Sequence, residues 1–217
     1  MRLVIKDFVK ICSECLPLKE PIYEFGSFQV PLDGKFADLR PLFPGRKYVG
    51  ADMRMGPGVD VVLDLHRIDL PDNTVGTVLT LETFEHVRDV QQAMKELKRI
   101  LKKDGTIIIS SLMNFPIHEH PSDYWRFTPE AFKSLLDGFG SIIVESVGDQ
   151  RFPHTVVGIG TNEQLSEHVK KQFLLALSLW KKSYSNPFKG GGIKYVLFQM
   201  CPPAILYYIR KIRHAKR

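Results

Sequence analysis

VVLDLHRIDLPDNTVGTVLTLETFEHV (Val61–Val87) joins two apolar runs rich in β-branched residues, the first of which starts two residues earlier. Val59–Leu63 and Val75–Leu81 have the length and continuity of strands buried on both faces. Working outward, Ile22–Phe25, Lys47–Ala51 and Thr106–Ser111 read the same way, and Ser141–Val147 and Thr155–Ile159 supply two more. Between Leu81 and Thr106 lies RDVQQAMKELKRILKK, in which Val90, Met94, Leu97 and Leu101 recur at helical spacing with charges opposite. Asp104-Gly105 is expected to stop that helix. Thr128-Pro129-Glu130 opens another, AFKSLLDGF, with Thr as N-cap and Pro in the first turn. Strands alternating with helices predict an α/β fold: a mainly parallel seven-stranded sheet with helices on both faces. Ligands of such sheets sit at the carboxyl ends of the strands, so function is sought in the loops that follow them.

The chain has 217 residues, enough for one α/β domain with a real core. Three cysteines suit a reducing compartment and argue against a disulfide framework. Cys12 and Cys15 form a C-x-x-C with no second pair to complete a zinc site, and both fit an apolar N-terminal helix. Lys6, Asp7, Lys10 and Glu14 interrupt that segment, which therefore lacks the apolar core of a secretory signal. The expected location is cytoplasmic.

Three strand ends carry an acid: Glu24 before Gly26, Asp52 in YVGAD and Asp64 in VVLDL. A carboxylate at the end of the second strand can accept bonds from both hydroxyls of a ribose. IYEFGSF, YVGAD, the quoted Val61–Val87 stretch and ELKRILKKDGTIIIS resemble the successive motifs of class I S-adenosylmethionine-dependent methyltransferases of the small-molecule group. The resemblance covers about Pro21 to Gly148 and implies a Rossmann-like three-layer sandwich. By that resemblance Glu24 and Gly26 underlie the cofactor's methionine portion and Asp52 binds the ribose, while Ser27 is expected to offer its amide and hydroxyl to the cofactor carboxylate. Met53 packs on adenine, Asp64 and Leu65 address its edge, and Glu82 opens the loop after the fourth strand. The family's G-x-G is altered here, since Ser27 and Phe28 follow Gly26, and Phe28 is expected to narrow the pocket. The missing glycines argue against a nicotinamide dehydrogenase.

ETFEH (Glu82–His86) would place Glu82, Glu85 and His86 on one face of a helical turn, a set able to hold a divalent metal. The same residues serve without metal if the histidine packs on a strand and Glu85 is a helix N-terminal charge. Downstream, IHEHPSDYWRFT supplies His118 and His120 as candidate bases for a hydroxyl acceptor. Tyr124, Trp125 and Arg126 read as an acceptor wall with a cation, or as a packed lid in which Arg126 pairs a carboxylate.

Every acidic residue lies at or before Glu167, and eleven Lys and Arg follow it. The expected divisions are an N-terminal helical segment (1–20), a methyltransferase domain (21–160) and a basic, apolar helical extension (161–217). The apolar run Tyr195–Ile209 is too short to span a bilayer, so the extension is expected to lie on an anionic membrane at its inner face. The resulting expectation is methyl transfer to an oxygen of a small, lipid-linked or glycan-linked acceptor. The alternatives are a non-catalytic interaction module and a metal-assisted RNA or DNA methyltransferase.

Overall fold

The computed structural model describes residues 1–30, 36–118 and 122–184. Seven strands form one sheet: β1 Ile22–Phe25, β2 Tyr48–Asp52, β3 Val61–Val62, β4 Val75–Leu81, β5 Leu101–Leu112, β6 Ser141–Gly148 and β7 Pro153–Thr161. Their order is β3-β2-β1-β4-β5-β7-β6. β7 runs antiparallel to both of its neighbours, and the pairings from β3 through β5 are parallel.

Alternation along the central strands builds the two faces. Val78, Ile107 and Ile109 point to one side, against helices α2 (Val90–Ile100) and α3 (Pro129–Leu135). Leu79 and Ile108 point to the other, against α1 (Leu3–Cys15) and α4 (Glu167–Tyr184). The result is the three-layer sandwich expected. Cys12 is buried on the inner face of α1, and both cysteines of the C-x-x-C are free thiols.

Side-chain caps fix where α2 and α3 begin. The Asp89 carboxylate accepts from Gln92 N at 3.0 Å, and Thr128 Oγ1 accepts from Ala131 N at 3.2 Å. Replacing Thr128 by alanine is expected to cost about 1 kcal/mol, read as a fall of roughly 3 °C in the thermal midpoint. An unchanged midpoint would show that Pro129 alone sets the start of α3.

Two boundaries differ from the sequence expectation. α2 ends at Ile100 rather than near Asp104, because Leu101 already pairs with Val75 while Thr106 pairs with Thr77. The intervening residues bulge out of register, and Asn162 holds them by donating to the carbonyls of Lys102 and Gly105. β3 shrinks to Val61–Val62 because Asp60 is used elsewhere. Its carboxylate accepts from Gly50 N at 2.8 Å and from Arg40 Nη2 at 2.7 Å. Gly50 is required there, since a Cβ would lie 2.1 Å from the Gly58 carbonyl oxygen.

Candidate active site

A cavity of about 750 Å³ opens along the carboxyl ends of the parallel strands, a size suited to a small organic ligand. All eight residues expected to meet the cofactor line it: Glu24, Gly26, Ser27, Asp52, Met53, Asp64, Leu65 and Glu82. Glu85, His86, His118 and Tyr124 line it as well, on the β4 and β5 side.

The loop after β1 is shaped by its one glycine. Gly26 has φ 87°, and a Cβ there would lie 2.2 Å from Thr83 Oγ1. Ser27 is buried, its amide donates to Ala51 O at 3.1 Å, and its hydroxyl has no hydrogen-bond partner among the described residues. Phe28 takes the place of the family's second glycine without filling the cavity. Its ring lies over Gly56, where a Cβ would come within 2.2 Å of it, and under the Arg54 guanidinium at 4.7 Å. The loop is tied to β2 through Asp52, whose Oδ2 accepts from Phe28 N at 3.3 Å and whose Oδ1 accepts from Arg54 N at 3.0 Å.

The three acids differ in environment. Asp52 is 10 % exposed, and a carboxylate has lone pairs left after two such bonds. Asp64 is 63 % exposed, and the His66 backbone N–H holds its carboxyl below the ordinary value. Glu24 is buried, accepts from Tyr48 Oη at 2.6 Å, and has its carboxyl pushed up to about 7 by burial. A buried hydroxyl at Ser27 with no partner among the described residues, a side-chain-free Gly26 and an acceptor at Asp52 fit the carboxylate and ribose ends of S-adenosylmethionine.

The β4 side departs from the sequence expectation. Glu82 has φ 53° and stands before the single 3-10 turn Phe84–His86, so it shares no helical face with Glu85 and His86. Its carboxylate pairs instead with Arg2, whose Nε lies 2.5 Å from Oε1. His118 joins Glu85 and His86 in its place: one candidate ligand atom from each lies within 4.8 Å of the others. Glu85 is fully buried, with Oε2 accepting from Ser111 Oγ at 2.6 Å and Oε1 lacking a partner among the described residues. Burial pushes its carboxyl up to about 7.

Both imidazoles are oriented through Nδ1. In His86 it lies 2.6 Å from the Ser122 carbonyl oxygen, and in His118 it lies 3.1 Å from Asp123 Oδ2. Arg126 holds the Asp123 carboxyl well below the usual carboxylate range through contacts of 2.5 and 2.7 Å. Arg126 is thus the partner of a carboxylate, the second of the two roles considered for it. Trp125 donates from Nε1 to Val87 O at 2.9 Å and lines a separate hollow, leaving Tyr124 alone of that trio in the main cavity. His120 lies outside the described residues. Sequence reading missed Arg2 and Met1, which wall the cavity from the far end of the chain, and no local pattern announces such a contact.

The sheet order 3-2-1-4-5-7-6, with the cavity at the carboxyl ends of its parallel strands, is that of the class I methyltransferase fold. Residues 46–109 match the family model described as a methyltransferase domain. Among solved structures, the chain is similar to an S-adenosylmethionine-dependent methyltransferase of Archaeoglobus fulgidus, with a TM-score of 0.54 and 16 % identity over 72 % of this chain and 94 % of that one. It is also similar to an S-adenosylmethionine-dependent methyltransferase of Thermotoga maritima, described as a possible histamine N-methyltransferase, with a TM-score of 0.51 and 19 % identity over 74 % of this chain and 89 % of that one. Identities this low speak for the fold. No curated protein sequence matches the chain. The chain thus carries a methyltransferase-domain match over residues 46–109, set within the fold of class I S-adenosylmethionine-dependent methyltransferases. Among the described residues no helix is long and apolar enough to cross a membrane. The run Tyr195–Ile209 lies outside them.

Proposed function

We propose that this enzyme methylates an oxygen of a small acceptor, or of one linked to a lipid or glycan. The observation that carries the reading is the meeting of Glu85, His86 and His118 at the cavity wall across β1 from Asp52. In this reading Glu24, Gly26, Ser27, Asp52, Met53, Asp64, Leu65 and Glu82 form the cofactor side, and the acceptor enters against Tyr124.

When bound, S-adenosylmethionine supplies an activated methyl, so the protein's work is alignment and proton removal. A neutral His86 that donates from Nδ1 to Ser122 O carries its lone pair on Nε2. His118, whose ring is held through Nδ1 by Asp123, is the base for a hydroxyl proton. A divalent cation would be held by Glu85, His86 and His118, with Glu82 kept to Arg2, and would acidify a hydroxyl beside it. The basic segment after Glu167 supports an acceptor presented at the inner face of an anionic membrane.

The test is transfer of isotopically labelled methyl to matched hydroxyl, amine and carbon acceptors, with and without chelator. Label in an ether or ester linkage is expected, with the rate falling in chelator and restored by manganese or zinc. Label confined to nitrogen or carbon would overturn the oxygen assignment. A rate indifferent to chelator would remove the metal and leave His118 as base.

A further inference from the structure

We infer that the outward face of α4 is the surface by which this enzyme sits on an anionic lipid bilayer, an assignment that rests on the membrane-presented acceptor proposed above. The inner face of α4 is fully committed. Phe173, Leu177 and Trp180 are buried, and Trp180 Nε1 donates to the Val4 carbonyl of α1 at 2.9 Å. With that face locked, the opposite one is fixed toward solvent. It displays Leu174, Leu175 and Leu179, which are 41 %, 65 % and 60 % exposed. At 100° per residue, Lys171 and Lys182 fall on the same side, and both are exposed. Leucines bracketed by lysines, on a helix with no acid after its first residue, make the pattern of an element lying in a headgroup region.

Charge decides among occupants. The chain beyond Glu167 carries no acid anywhere, so its own C-terminal residues and the α4 of a second copy would each bring cation against cation. Nucleic acid would satisfy the lysines and leave three leucines in water. An anionic leaflet takes both sets, the ammonium groups at the phosphates and the leucines at the acyl boundary.

The placement also serves the site. The C-terminal half of α4 lies along α1, with Tyr184 Oη donating to Asp7 and Trp180 reaching Val4. Met1 and Arg2, immediately before α1, wall the cavity. A bilayer on α4 would therefore lie on the helix packed against α1, whose N-terminal flank walls the cavity.

The experiment is co-sedimentation of the full chain with phosphatidylcholine vesicles, with or without phosphatidylglycerol, beside a Leu175→Gln/Leu179→Gln double variant. S-adenosylhomocysteine affinity and light scattering are measured on the same samples. The expected result is binding to the anionic vesicles only, with a partition coefficient roughly tenfold lower or less in the variant and unchanged S-adenosylhomocysteine affinity. Equal vesicle binding by both proteins would overturn the role of α4 and leave the membrane reading standing. Absence of binding by the natural chain would overturn both. A dimer that the variant converts to monomer, without loss of vesicle binding, would assign the face to a second copy. Tighter binding to duplex RNA or DNA than to vesicles would assign it to nucleic acid.

Discussion

Replacing Asp52 with alanine is expected to weaken S-adenosylhomocysteine binding by about a hundredfold in calorimetric titration. Two charge-assisted bonds to vicinal hydroxyls, each worth about 1.5 kcal/mol, sum to about 3 kcal/mol. Asp52 can supply both because it is nearly buried and already oriented by the amides of Phe28 and Arg54. Those amides also tie the loop after β1 to β2, so part of the loss would come through the loop. Asp52→Asn separates the two contributions, since it keeps an acceptor oxygen and removes the charge. Asp64→Ala is the internal contrast: at 63 % exposure its bonds compete with water, and a loss of only a few-fold is expected. Wild-type affinity in Asp52→Ala would move the ribose off the β2 carboxylate.

Folding stability is expected to fall as pH rises from about 4.5 to about 7, and Glu24→Gln should remove a large part of that fall. Burial pushes the Glu24 carboxyl up to about 7, offset only in part by the Tyr48 hydroxyl and the Arg40 guanidinium. Within that window the folded carboxyl keeps a proton that the unfolded chain, near its ordinary value of 4.5, has released. Folding therefore takes up a proton, and each step up in pH works against it. The effect is complete below the unfolded value and gone above the folded one, about 3 kcal/mol across the window. Gln keeps an acceptor for Tyr48 and carries no charge at any pH. Chemical denaturation at pH 5 and pH 8 measures the difference. A slope that Glu24→Gln leaves intact would assign it to other carboxyls.

Much of this architecture could be read from the chain because its signals are local. β4 is apolar on both faces and stands as a continuous run, and Thr128-Pro129 is a cap with its helix directly behind it. Strand-end acids were legible as one group because parallel strands bring their carboxyl ends to one edge. What failed depended on partners remote in sequence. Leu101 keeps the helical spacing of α2, yet pairing with Val75 makes it the first residue of β5. Glu82 belongs by spacing with Glu85 and His86, and Arg2, eighty positions away, takes it. His118 reaches the turn at Glu85 because the loop after β5 folds back, with Tyr124 N donating to Glu85 O at 2.7 Å. For Arg126 both roles were legible, and its bond to Asp123, three residues before it, selects the pairing with a carboxylate.

The position of β7 between β5 and β6 has a consequence for how the molecule is made. A nascent chain emerging from the ribosome can assemble β1 through β5 early, but β5 keeps a bare edge until Pro153–Thr161 has been synthesised. β6, though earlier in sequence, has no place to dock before β7 arrives. Closure of the sheet is accordingly a late event, and a truncated product ending before β7 presents an apolar template for strand addition by its neighbours.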